Sequence, residues 1–314
     1  MNAAACLALY DIALAGCGPR LLVWLTRGGQ APRAGVAAWL TAIASFVLTG
    51  VMISALTVVD VIAHWGRPGN LVATCLETLC GLAAGAGGSV AQIAVIAAVF
   101  AAATAVALFG VRVVRRVARL RGRARHHCDA VRMVGRPLRG GDVYVVQAPE
   151  RAAYTVQGRP SAIVVTSSAV AALDERELNA VIAHERAHVA GHHLTVITVL
   201  RALAAVLPKV GLLTRGARDV ARLLEMCADD AAARRYGHRT LLDGLVRLVG
   251  AAPAGALGAA DVAVLHRAHR LAHPATHRVS LSAQAALVGV AVVIALGPTA
   301  IGTLELSGLW VCPG

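Results

Sequence analysis

Across residues 36–62 the chain carries a single charged side chain, Asp60, and three further stretches, at about 3–25, 90–111 and 283–304, are nearly as apolar. At 1.5 Å per residue each is long enough to cross the roughly 30 Å hydrocarbon core of a bilayer. Backbone polar groups in lipid must find partners within their own segment, so such stretches have to be helices. Composition agrees, with 57% hydrophobic residues and a mean hydropathy of +0.67 over 314 residues. That is too apolar for a soluble globule, yet the chain is long enough for four spans and one further domain. The first stretch has neither a basic leading end nor a small-residue cleavage site, so it is expected to be a retained helix. Asp11 is expected to be buried or interfacial within it.

Net charge is +13, with one lysine among 30 basic residues, and the placement of the arginines decides what that charge is for. Arg20, Arg27 and Arg33 flank the first connection, and Arg112, Arg115, Arg116, Arg119, Arg121, Arg123 and Arg125 follow the third apolar stretch. The second connection, residues 64–89, has only Arg67 and is rich in glycine. By the positive-inside rule the N-terminus lies outside and the region after the third span is cytoplasmic. The arginine run hugs a membrane exit and lacks interleaved aromatics, so anionic lipid is the expected partner and no direct nucleic-acid contact is expected. His126, His127 and Cys128 follow the run as juxtamembrane surface. This orientation puts Cys75, Cys80 and Cys312 on the oxidising side, with their pairing open.

Chemistry concentrates in residues 173–194, LDERELNAVIAHERAHVAGHHL. Asp174 suits an N-cap, Glu177 completes a capping box, Leu173 and Leu178 suit a hydrophobic staple, and Gly191 suits a left-handed stop. Together they predict a helix from Glu175 to Ala190. On it His184 and His188 sit four apart on one face. Two imidazoles so placed can both reach one Zn²⁺ at about 2.0–2.1 Å, with Glu185 leaning over the remaining coordination position. A third ligand must come from elsewhere. The residue six beyond His188 is Leu194, which excludes the metzincin pattern, and His192 and His193 lie past the stop, where a metal role is not expected. In residues 218–237, RDVARLLEMCADDAAARRYG, a second helix ends at Arg234, Arg235 and Gly237 and carries Glu225 and Asp229 one turn apart. Glu225 would complete a His₂Glu set, and Asp229 would accept the outer ring N–H of a ligating histidine. A solvated acidic face beside Arg222 is the other reading of that pair.

Residues 143–146, 153–156 and 162–166 are short β-type runs parted by Pro149 and by Gly158-Arg159-Pro160, which predicts a small antiparallel sheet. Residues 194–213 are apolar but cannot cross the bilayer, because His184 and Glu225 would then lie on opposite sides. They are expected to pack in the domain or dip against the membrane, walling the cleft.

AVIAHERAHVAGHHL followed by LLEMCADDAAARRYG resembles the membrane-embedded gluzincin metallopeptidases, in particular the BlaR/MecR-type antirepressor family, with the HtpX/CAAX-protease family as a near relative. The likeness extends to residues 158–166 and to the layout of the spans. It implies a zinc site of His184, His188 and Glu225, Glu185 as general base, and a sheet edge that pairs with an extended substrate. The HtpX-like relatives carry a His-Pro then Arg pattern, matched one residue short by His273, Pro274 and Arg278. A transition-state role for His273 is carried on that pattern, beside the reading of a basic interfacial helix.

The fold expected is therefore a multi-pass α-helical membrane protein with a mainly α gluzincin-type zinc protease domain, α+β in class. Three spans fall within residues 1–111, a cytoplasmic protease domain in 112–282 and a fourth span in 283–314 of the bacterial inner membrane. The expected activity is zinc-dependent endoproteolysis of a cytoplasmic transcriptional repressor, with one Zn²⁺ per chain. The alternatives are HtpX-like quality control of membrane proteins and a non-catalytic zinc-containing scaffold, against which the intact Glu185 speaks. Homo-oligomerisation is left open. Val206 lies three positions before Lys209, the single lysine, so the S-x-x-K acylation motif is missing. A penicillin-binding sensor domain and covalent β-lactam sensing are not expected.

Overall fold

The structure, a computed structural model, describes residues 3–63, 89–138, 141–249, 259–274 and 276–306. In chain order it runs α1 (Ala3–Thr26), α2 (Pro32–Ala63), α3 (Ser89–Val134), β1 (Arg136–Pro137), β2 (Val143–Val146), β3 (Ala153–Val156), β4 (Ala162–Thr166) and α4 (Ser167–Ala172). There follow α5 (Glu175–Ala190), α6 (His193–Val206), α7 (Gly211–Tyr236), α8 (His238–Val249), α9 (Ala259–Ala272) and α10 (His277–Leu306). Residues 64–88 and 250–258, and with them Cys75 and Cys80, lie outside the described residues, as does Cys312.

Among the described residues, three segments are long and apolar enough to cross a membrane: Ala4–Thr26, Pro32–Val58 and Arg278–Thr303. They match the first, second and fourth expected spans. The third forms the beginning of α3, which does not stop at residue 111 but continues for 46 residues in all through the arginine run. No proline follows residue 111 in this run, and arginine is a good helix former, so nothing ends the helix there. The expected boundaries at 111/112 and 282/283 thus fall inside continuous helices. Polar side chains join the spans: Tyr10 Oη donates to the Ile294 carbonyl at 2.8 Å, and Thr49 donates to Asp11. The hydroxyl next to Asp11 gives that acid the buried partner a carboxylate in such a place needs.

The apolar stretch after His193 folds back on itself. α6 bends 58° from α5, and residues 207–210, with Pro208, turn the chain back into α7. Ile197 and Leu200 of α6 and Leu212, Leu213 and Val220 of α7 share one buried cluster with Leu14 and Leu22 of α1 and Trp39 and Ile43 of α2. The α6–α7 hairpin is therefore wedged against α1 and α2. Gly216 marks the closest approach, since a Cβ there would lie 2.8 Å from Ile43 Cδ1 and 3.1 Å from the Trp39 ring.

The sheet is mixed, not antiparallel, with order β1-β2-β4-β3. β2 and β4 pair in parallel and β3 pairs antiparallel with β4. β3 crosses to the outside of β4 instead of lying between its sequence neighbours, which leaves β4 central, with all five residues buried, and makes β3 an edge. Cys128 and Val131 of α3 cover one face with Val156, Ala162 and Val164, and Ile182 of α5 packs on the other with Val143, Ile163 and Val165.

Candidate metal centre

α5 has the bounds its caps dictate. Asp174 accepts from Glu177 N at 2.8 Å while Glu177 returns a carboxylate to Asp174 N at 2.9 Å, closing the capping box. The left-handed residue at its far end is His192 (φ 52) and not Gly191 (φ −82). Histidine is among the side chains that tolerate this region, and its use here re-aims the chain so that His193 starts α6.

His184 and His188 are buried on α5, their Nε2 atoms 3.1 Å apart. α7 brings Glu225 against both, Oε2 lying 3.5 Å from His184 Nε2 and Oε1 3.4 Å from His188 Nε2. One ligand atom from each of the three residues falls within 4.8 Å of the others. Asp229, one turn on, is fully buried with Oδ1 3.1 Å from His184 Nδ1, near enough for an ion pair though off the axis of a straight hydrogen bond. Burial pushes His184 towards the neutral form, but Asp229 and Glu225 outweigh it and hold its pKa up at about 9. Burial works against Glu225 too, yet the two histidines keep it well below the usual carboxylate range. A donor set that retains a proton this firmly favours positive charge at its centre. Two imidazole nitrogens and a carboxylate oxygen are the donors of a His₂Glu zinc site, and the residues present fit that metal.

Glu185 projects beside the three. Thr155 on β3 places its hydroxyl 2.8 Å from Glu185 Oε2 and 3.0 Å from the Glu185 backbone carbonyl, with one proton to donate between them. Burial raises the Glu185 pKa above the usual range, while the neighbouring histidines and the Thr155 hydroxyl pull the other way.

Three residues for which no site role was expected complete the site. Arg267 of α9 is held by both acids of α7, and it lines the same cavity. His193 places Nδ1 2.9 Å from His188 Nδ1; burial and the adjacent His188 lower its pKa to about 4. Thr155 is the third. Only Thr155 left a signal, a small hydroxyl residue in a strand beside the zinc helix; Arg267 sits in a basic run, HRAHR, that reads as surface. His273 is not brought to the site. It is exposed just past the end of α9, its Nδ1 3.2 Å from the His269 carbonyl one turn back. The position facing Glu225 from this part of the chain belongs to Arg267.

A cavity of about 300 Å³ holds His184, Glu185, His188, Glu225 and Arg267, walled by Ala153 and Tyr154 of β3, Val181, Leu194, Ile197, Leu245 and Leu248. α6 thus walls the cleft as expected. Among protein-family models, that of peptidase family M48 matches residues 115–283. No curated protein and no solved structure matches the chain.

Proposed function

The chain belongs to peptidase family M48, and from that premise we propose that it is a zinc metalloendopeptidase that cuts extended polypeptide segments at the membrane boundary. The observation that carries the reading is the convergence of His184, His188 and Glu225, with Glu185 beside them in a cleft along the edge strand.

Zinc held by those three ligands would supply Lewis-acid activation of a water and of the scissile carbonyl. The chain's own residues supply the rest. Glu185 is the base that takes a proton from the attacking water and returns it to the leaving amine, and its burial keeps proton affinity high enough for both steps. Thr155 fixes which way the carboxylate faces. Thr166 N donates to the Ala152 carbonyl, so by antiparallel alternation Ala153 and Thr155 direct their own N–H and C=O groups to the open edge. An extended substrate pairs there as one more strand, with Val181, Leu245 and Leu248 receiving an apolar side chain.

The membrane-boundary part rests on the seat of α7. Arg222 Nη2 donates to the Thr26 carbonyl at 3.0 Å and Arg270 Nη1 lies 3.4 Å from the Gly29 carbonyl, so Glu225 sits level with the turn joining the first two spans. That depth supports substrates tethered to the membrane over a freely diffusing repressor. The test is cleavage in proteoliposomes of one peptide sequence presented either on a membrane anchor or free, by wild type and Glu185→Gln, with zinc measured in both. Zinc in both proteins and cleavage of the anchored peptide by wild type alone is the expected result. Equal cleavage of the free peptide, or of a soluble repressor, would favour the antirepressor reading, and absence of zinc from wild type would remove the metal site.

A further inference from the structure

His188 presents its two ring nitrogens to different surroundings. Nε2 faces the proposed metal position, 3.1 Å from His184 Nε2 and 3.4 Å from Glu225 Oε1. Nδ1 points away and meets His193 Nδ1 at 2.9 Å. Two imidazole nitrogens at that separation share one proton: with none their lone pairs repel, and with two the N–H groups collide. If Nε2 of His188 gives its lone pair to a metal, the shared proton belongs to Nδ1 of His188. His193 then accepts it on a bare Nδ1 and carries its own proton on Nε2.

We propose that His193 is the positioning residue of this ligand, a neutral imidazole that locks the tautomer and ring orientation of His188. The inference rests on the reading of His184, His188 and Glu225 as zinc ligands. It makes the two ligand histidines unequal: His184 is backed by the carboxylate of Asp229, His188 by an uncharged ring. A carboxylate at this position would add a negative charge on the side of Glu225, and a neutral acceptor orients His188 without doing so.

The local backbone is shaped for this contact. His192 takes the left-handed conformation that turns the chain between α5 and α6, and His193 is the first residue of α6, only 7% exposed. Its ring lies against Gly191, where a Cβ would come within 2.3 Å of His193 Nε2. Gly191 has φ −82, which any residue adopts, so what requires glycine here is the ring above it.

The test uses the full-length protein in detergent, with zinc affinity read by competition against a chromophoric chelator and ligand geometry by the visible spectrum of the Co²⁺-loaded form. His193→Leu removes the acceptor, and zinc affinity falls about 10–100-fold. His193→Asn puts an amide oxygen near the lost Nδ1, and restores affinity and spectrum towards wild type. Gly191→Ala, which touches no ligand, reproduces the His193→Leu loss by displacing the ring. Unchanged affinity in His193→Leu would overturn the proposal. So would an Asn variant that melts like wild type yet binds zinc as poorly as the Leu variant. If wild type itself binds no zinc in a His184-dependent way, the site reading fails instead.

Discussion

Arg267 grips Asp229 with two donors, Nε 2.9 Å from Oδ2 and Nη2 2.6 Å from Oδ1, and its Nη1 lies 3.2 Å from Oε2 of Glu225. One side chain from α9 thereby ties down both acids that α7 presents to the histidines. Asp229 has no solvent exposure and Arg267 very little, so this is a charge pair inside the protein. Arg267→Met leaves the buried aspartate with His184 as its remaining partner and is expected to cost about 3 kcal/mol, read as a fall in melting temperature in detergent. Asp229→Asn in the same chain removes the stranded charge and should recover much of the loss; a double variant no more stable than Arg267→Met would contradict the pairing.

Thr155→Val keeps the shape of the strand and deletes the hydroxyl that Glu185 accepts. Because that hydrogen bond lowers the Glu185 pKa, its loss raises the pH at which the base ionises. The acid limb of the kcat/KM profile should move to higher pH, with kcat/KM at neutral pH down about tenfold. A profile that keeps its acid limb in place would dissociate Thr155 from the base.

Gly29 in the turn between α1 and α2 has φ +60, and a Cβ there would come within 2.5 Å of Met226 Sδ, the neighbour of Glu225. A side chain pays roughly 1–2 kcal/mol for that backbone conformation and also pushes on α7. Gly29→Val should lower both the melting temperature and zinc affinity, although residue 29 touches no ligand. Zinc titration giving the wild-type constant would show that the turn and the metal helix are not coupled.

Arg186 of α5 pairs with Asp142 just before β2, through two hydrogen bonds of 2.9 Å. The guanidinium lowers the Asp142 pKa, so the pair stabilises the fold fully above the ordinary value of 3.8 and loses that contribution as pH falls through the lower folded-state value. Both side chains are more than a third exposed, so screening limits the gain to about 0.5 kcal/mol. Asp142→Asn should melt slightly lower than wild type at neutral pH and converge with it in strong acid. A constant gap across the whole pH range would assign the difference to something other than this charge.

How much of this was legible in the sequence depended on how local each cause is. The ends of α5 could be read because Asp174 and Glu177 satisfy backbone donors three residues away, and the facing of His184 with His188, or Glu225 with Asp229, follows from helix pitch alone. The three strands could be read as segments. Their pairing could not, since the parallel β2–β4 contact depends on β3 crossing to the edge, a choice made by burial of β4 on both faces and not by any turn. Arg267 lies 38 residues from Asp229 and in a run of arginines and histidines no different from a surface helix. His193 was set aside because a stop was assigned to Gly191, when the left-handed position is one residue later and the next ring turns inward.

At 1.5 Å per residue the 46 residues of α3 make a rod about 70 Å long. Its apolar end begins among residues fit for lipid, and its other end carries Cys128 and Val131, packed on Val156 and Val164, and Arg132, bonded to the Pro160 carbonyl at 2.5 Å. Val156 belongs to the strand that carries Thr155. Because the rod is fixed to the sheet through Cys128, Val131 and Arg132, any change in its tilt would be passed to Val156 and so to the edge strand that carries Thr155.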